Sequence, residues 1–252
     1  RIDWENPILF GAAVFSHPAD KPDVLDRYPI RKILVPGEWM RQMFEPYYGD
    51  QVVAWPVGID TEEWSPAALQ RKDIDILLYN KVRWENKHYE TNLVAPIRDH
   101  LNRLGLTFLE MQYGFYKEED FHSALARSKS MIFLCEHETQ GIAYQQALSC
   151  GVPILAWDRG GYWQDPSYYP KKVEFTPVSS VPYWDKRCGL KFKDVEDFPL
   201  RISEFLDKLD SHTFSPREYI LENLTLEKSA QHYLKILNEV QQEGTAEHQS
   251  TV

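Results

Sequence analysis

The chain has 252 residues, 43% apolar and 26% charged, which suits one large or two small globular domains with a substantial core. A net charge of −10, with no basic cluster to break it, argues against a nucleic-acid partner. No stretch approaches the roughly 18 apolar residues of a membrane-spanning helix, so no transmembrane segment is expected.

In chain order, 7–15 is an apolar strand candidate, followed by Ser16-His17-Pro18. A second strand spans 30–36, and Gly37-Glu38 opens a helix carrying Trp39, Met40, Met43 and Phe44. The third strand, 52–57, runs into Gly58-Ile59-Asp60-Thr61. The polar stretch to Asp73, with Pro66 in it, reads as a linker. These boundaries divide the chain into a partial first domain (1–60), a linker (61–73), a main domain (74–224) and a C-terminal helix with tail (225–252). The chain opens on Arg1 without an initiator methionine or a signal-peptide pattern, so residues upstream are expected.

The main domain begins with a buried strand at 74–80, and Lys81, Arg83 and Lys87 follow its end. A helix reaches Leu104 and stops at Gly105; Pro96 must kink it or mark its true start. A strand at 107–113 precedes Gly114, and 117–128 is a helix with Phe121, Ala124 and Leu125 on one face. Arg159-Gly160-Gly161 is a glycine-rich turn and 181–185 an aromatic loop. Three helices close the chain: about 195–209, 216–223 capped by Ser215, and 226–242 capped by Thr225. Residues 245–252 read as a loose tail. Strands alternating with helices imply an α/β, Rossmann-like parallel sheet with helices on both faces, preceded by a short or truncated first domain.

The stretch 131–158 is the most informative. Residues 131–135 are a short apolar strand and 141–150 a helix carrying Ile142, Ala143, Gln146, Ala147 and Leu148. Gly151-Val152-Pro153 ends that helix before a second strand at 153–158. The result is a βαβ unit whose turn holds Glu136, His137, Glu138, Thr139 and Gln140. Ligands of open α/β sheets bind outside such strand ends, and the free N–H groups of a helix start suit phosphate. Spacing alone leaves two readings, a ligand site or an exposed polar connection. Cys135, Cys150 and Cys188 lack metal-ligand spacing, and Cys135 and Cys150 read as buried small hydrophobes. A reduced compartment follows, cytoplasmic or peripheral to a membrane.

Glu138, seven residues, Gln146, then Ala147-Leu148-Ser149-Cys150-Gly151-Val152-Pro153 resembles the donor-binding signature of retaining GT-B glycosyltransferases. That family places a second glutamate where this chain has Gln146. The first-domain phrases Val35-Pro36-Gly37 and Pro56-Val57-Gly58-Ile59-Asp60 are similar to the same family's. The resemblance implies a GT-B-like fold and a nucleotide-sugar donor. It places Glu138 by the donor sugar, Gln146 at the nucleotide ribose, and Lys81 or Arg83 with Lys87 at the diphosphate. Thr139, Gln140, Gly141, Ile142 and Gly114 complete the implied donor-binding set. A histidine near the donor is common in the family, which makes His17 a candidate, although a lone surface histidine is the preferred explanation. No cofactor or metal is expected.

Two function classes stay open. One is a retaining, metal-independent transferase acting on a glycan, lipid-linked or other hydroxyl acceptor. Its enzyme alternative, a nucleotide-sugar epimerase or hydrolase of the same architecture, needs acid/base residues that the sequence does not display. The other class is a catalytically inactive donor-binding remnant that serves as an interaction module.

Overall fold

A computed structural model of the chain describes residues 6–11, 15–66 and 72–249, with side chains to residue 243. Three parallel strands come first: Ile8–Gly11 (β1), Ile30–Val35 (β2) and Val52–Ala54 (β3), side by side in that order. Val24–Arg27 (α1) and Glu38–Tyr48 (α2) lie in the connections. α2 buries Trp39, Met40, Met43, Phe44 and Tyr48, the stripe of an amphipathic helix. Gly37 at its N-cap offers no side-chain acceptor to the first turn.

The second sheet has five parallel strands: Ile74–Asn80 (β4), Phe108–Gln112 (β5), Ser128–Leu134 (β6), Ile154–Trp157 (β7) and Gly189–Phe192 (β8). Their spatial order is β5-β4-β6-β7-β8. Asn86–Tyr89 (α3), Ala95–Arg103 (α4), Glu118–Arg127 (α5), Ile142–Ser149 (α6), Phe198–Asp210 (α7) and Pro216–Asn223 (α8) accompany them. The long helix Leu226–Gln249 (α9) follows.

Side-chain alternation along the strands sorts the second core into two layers. Leu77, Tyr79, Met131, Phe133, Ile154 and Ala156 pack with residues of α5, α6 and α8. Ile76, Leu78, Ile132, Leu134, Leu155 and Trp157 pack with residues of α4 and α7. Burial on both faces explains why these strands read as unbroken apolar runs.

The chain forms two compact units, one of residues up to Gly58 with Leu226 onward, the other Ile59–Thr225. α9 thus belongs with the first sheet. Ser229 Oγ donates to the Pro56 carbonyl at 2.7 Å, and Trp55 Nε1 donates to the Ser229 carbonyl at 3.0 Å. Within the second unit, Ile59 N donates to the Leu224 carbonyl at 2.8 Å, tying its two ends together.

Several local expectations change. β1 is shorter than 7–15, and residues 12–14 lie outside the described set. The 61–73 stretch is not simply a polar linker. Trp64 is buried, its carbonyl accepts from Ser149 Oγ at 2.6 Å, and residues 67–71 lie outside the described set. Of the two places open to Pro96, the structure takes the second: it marks the true start of α4, sitting in its first turn. Lacking an N–H and crowding the carbonyl four residues back, it goes with a π-helical turn at Glu90–Val94, where Ala95 N bonds the Glu90 carbonyl. β8 had no counterpart in the sequence reading; its four residues are too few for a clear period. Gly189 at its start has φ +144°, and a Cβ there would lie 1.8 Å from the Ile154 carbonyl oxygen. Ser215 makes no side-chain cap, and α9 continues to Gln249 where a loose tail was expected, with residues 250–252 outside the described set. All three cysteines are buried and free.

Candidate functional site

Because the five strands are parallel, their C-terminal ends share one edge. The chain leaves β4 to one side for β5 and returns on the other for β6, so the loops after β4 and β6 diverge from neighbouring strand ends. That divergence makes a crevice at the switch point of the sheet. Lys81 and Arg83 follow β4; Glu136, His137 and Glu138 follow β6; Asp158 and Arg159 follow β7.

Lys81 and Glu138 meet there as an ion pair, Nζ to Oε1, with side chains 12% and 8% exposed. The Lys81 ammonium also lies 4.3 Å from the centre of the Tyr113 ring. Cys135 Sγ is 3.7 Å from Glu138 Oε1, and Glu138 N donates to the Ser179 carbonyl at 2.9 Å. The pair is thus held from three strand ends and from the segment after β7.

Glu136 positions the β4 loop. Its buried carboxylate accepts from Arg83 N and Trp84 N, both at 2.9 Å. Hydrogen bonds to a charged acceptor are stronger than neutral ones, and an orphaned buried donor costs about 1–3 kcal/mol. Glu136→Ala is therefore expected to lower unfolding free energy by about 2–3 kcal/mol in chemical denaturation, with Glu136→Gln recovering part of it. No loss would mean that the 81–84 loop is held by other contacts.

His137 is buried, and burial together with the Arg83 and Arg159 charges pushes its imidazole down to about 3. Its ring is 5.0 Å from that of Trp84. The unfolded chain takes up this proton below about 6.5, whereas the folded chain refuses it until about 3. Stability should therefore rise with pH across that window. His137→Gln should flatten the rise in urea titrations at successive pH values; an unchanged slope would mean the imidazole is protonated in the folded state.

α6 begins at Gly141, whose φ of +80° is left-handed and whose hypothetical Cβ would fall 2.0 Å from the Tyr144 ring. Glycine is required there by conformation and by that ring. The helix face differs from the expected one. Tyr144, Gln145, Ala147, Leu148 and Ser149 are buried, Ile142 is exposed and Gln146 is half-buried. Gln145 holds the turn, donating to the Gln140 carbonyl at 2.7 Å and accepting from Gln140 Nε2 at 2.9 Å. Tyr144 OH accepts from Tyr183 N at 2.9 Å, fixing the aromatic loop. Asp158 anchors the same segment through Ser180 N at 2.9 Å and binds Lys191 Nζ at 2.7 Å.

The structure thus brings Lys81, Arg83, Glu138, Thr139, Gln140 and Gly141 to one strand edge. Lys87 is exposed on α3 and lines a groove with Asn80, Gln112 and Phe115, on the β5 side. Gly114 is exposed beyond β5 with φ +82°. His17 belongs to the other unit and is not a surface histidine. It is buried, its Nδ1 accepts from Ala19 N at 3.0 Å, and burial lowers its basicity. In the sequence Glu136 and Arg159 stand out only as parts of turns, and Tyr113 and Gln145 carry no functional signal. An acid placed directly after an unbroken apolar strand is the available signal for Glu136.

The fold is that of the GT-B glycosyltransferases. No family model and no curated protein matches the sequence. Among solved structures, sucrose-phosphate synthase from Thermosynechococcus elongatus matches with a TM-score of 0.60 at 14% identity, over 91% of this chain and 64% of that one. The pneumococcal O-GlcNAc transferase GtfA, in complex with UDP and GlcNAc, matches with a TM-score of 0.58 at 13% identity, over 88% of this chain and 47% of that one. TarM from S. aureus, in complex with fondaparinux, alpha-GlcNAc-glycerol and UDP, matches with a TM-score of 0.59 at 12% identity, over 87% and 46%. The chain therefore spans between 46% and 64% of the length of these structures. No helix among the described residues is long and apolar enough to cross a membrane.

Proposed function

We propose that this chain is the donor-handling part of a retaining glycosyltransferase, which moves a sugar from a nucleotide-diphosphate sugar to an acceptor hydroxyl. The observation that carries this reading is the buried Lys81–Glu138 pair at the switch point of a GT-B-like sheet, with Arg83 beside it. When the bond between the anomeric carbon and the diphosphate breaks, negative charge builds on the leaving group and positive charge on the sugar. Fixed groups aimed at both charges lower the barrier. Lys81, Arg83 and the N–H groups opening α6 suit the first, and the Glu138 carboxylate suits the second. The acceptor oxygen then bonds to the anomeric carbon on the face the diphosphate leaves, and its proton passes to a leaving phosphate oxygen. Among the described residues no group of three or more His, Cys, Asp or Glu is arranged to hold a metal ion. We assign the charge neutralisation to the protein's own cations.

The test is calorimetric titration of UDP, GDP and their sugars with chelator present. Binding without a divalent cation is expected; binding that appears only with magnesium or manganese would contradict the assignment. Arg83→Ala should weaken diphosphate binding roughly 10- to 100-fold, the worth of one charge-assisted hydrogen bond, and leave nucleoside binding unchanged. Lys87→Ala should act in the same direction and less. Equal losses for nucleoside and nucleotide would mean these cations only support the fold.

A further inference from the structure

The crevice has a second cationic centre, on the α3 side. Arg159 follows β7, and its Nη1 donates to Tyr89 OH at 3.3 Å. Its guanidinium carbon lies 5.7 Å from the Trp157 ring, against which Tyr89 packs edge-on at 5.1 Å. Its Nε and Nη2 are buried and have no hydrogen-bond partner among the described residues. Arg83 also reaches His137, giving Nη2 to its carbonyl at 3.2 Å with its guanidinium 4.7 Å from the Trp84 ring.

Lys81 is paired with Glu138, Glu136 is committed to backbone N–H groups, and Asp158 is held by Lys191. Neither Arg83 nor Arg159 has an ion-pair partner among the described residues. A guanidinium is always charged and presents five donors in a planar fork. The buried donors of Arg159 are costly without acceptors, and two cations acting on one imidazole repel each other, although Arg83 is exposed. Both costs fall when an oxyanion is bound within reach of the two. The surrounding protein is acidic overall, so this positive spot is local.

We infer that Arg159 joins Arg83 in an anion-binding subsite on the α3 side of the crevice, which takes an oxyanion of the donor. The inference rests on the proposed donor-binding reading for its ligand, and on geometry for its existence. The oxyanion has two sources in a nucleotide sugar: a phosphate of the diphosphate, or a carboxylate carried by the sugar. The burial of His137 fits the subsite, since a neutral imidazole leaves the anion to the two arginines.

The experiment titrates wild-type protein, Arg159→Gln, Arg159→Lys and Tyr89→Phe with uridine, UDP, inorganic pyrophosphate, UDP-glucose and UDP-glucuronate, with chelator present and thermal melts alongside. GDP and guanosine replace the uridine series if UDP does not bind. We expect Arg159→Gln to weaken UDP and pyrophosphate roughly tenfold or more and to leave uridine unchanged. Arg159→Lys should recover only part, because an ammonium lacks the fork. Tyr89→Phe should cause a smaller loss by releasing the guanidinium. If Arg159→Gln spares UDP and pyrophosphate but abolishes a wild-type preference for UDP-glucuronate over UDP-glucose, the subsite stands and its ligand is the sugar carboxylate. If a folded Arg159→Gln alters none of these affinities, the subsite is overturned while the donor-binding reading stands. If wild type binds pyrophosphate through Arg159 but no nucleotide, the donor reading falls and the subsite stands. If it binds no anion at all, both fall. Should Arg159→Gln fail to fold, unchanged affinities in Arg159→Lys and Tyr89→Phe overturn the subsite.

Discussion

Glu138→Gln is expected to cut sugar transfer by about 10²–10³-fold, the usual cost of removing one preorganised electrostatic group, while nucleotide affinity changes little. The glutamine keeps the size and the hydrogen-bonding capacity of the side chain and removes only its charge. If that charge stabilises positive character developing at the anomeric carbon, its loss appears in turnover rather than in ground-state binding. The structure adds a condition. Glu138 also balances Lys81 in a site where both side chains are nearly excluded from water. The neutral variant frees the ammonium, which then faces the diphosphate without competition, so nucleotide affinity should hold or rise slightly. Donor hydrolysis or transfer to an acceptor, with nucleotide titration alongside, separates the two effects. Intact turnover with a lowered melting temperature would make Glu138 a structural partner of Lys81 and end the proposed mechanism.

Lys81→Met should destabilise the protein by about 3–5 kcal/mol, the cost of stranding one member of a buried ion pair. The methionine keeps the apolar stem against Tyr113 but removes the ammonium that faces the Glu138 carboxylate, which stays beside the Cys135 thiol. Adding Glu138→Gln to Lys81→Met should restore much of that loss, because no buried charge is then uncompensated. Urea denaturation of the two single variants and the double variant closes a cycle. A coupling energy above about 1 kcal/mol is expected for groups in contact; additive losses would show that the two side chains do not interact in solution.

Some of this was legible from local pattern. The apolar runs at 74–80 and 153–158 coincide closely with β4 and β7, and 131–135 marks the apolar part of β6, which begins three residues earlier at Ser128; covering on both faces makes the buried part of a strand apolar. Gly141 marks the left-handed residue that starts α6, because few other residues adopt that backbone. Other features had no local signal. Ile142 was read as part of an apolar face, yet it is exposed, and the neighbouring Gln145 is buried because its amide closes the turn through Gln140. His17 looked like a surface residue, and the packing of its own unit buries it.

The sequence by itself determined the α/β class, the crossover at 131–158 and the position of Glu138 in the turn before α6. These follow from side-chain periodicity and from backbone limits on glycine and proline, which act over a few neighbouring residues. Only the tertiary structure decided that Lys81 pairs with Glu138, that Glu136 binds the backbone of the β4 loop, and that Arg159 stands beside Tyr89 and His137. Those contacts depend on which strands lie side by side. Arg83 and Glu136 are 53 residues apart in the chain and meet because β4 and β6 are hydrogen-bonded neighbours. Strand order is set by the burial of two whole core layers at once, a cooperative property that no short stretch of residues encodes.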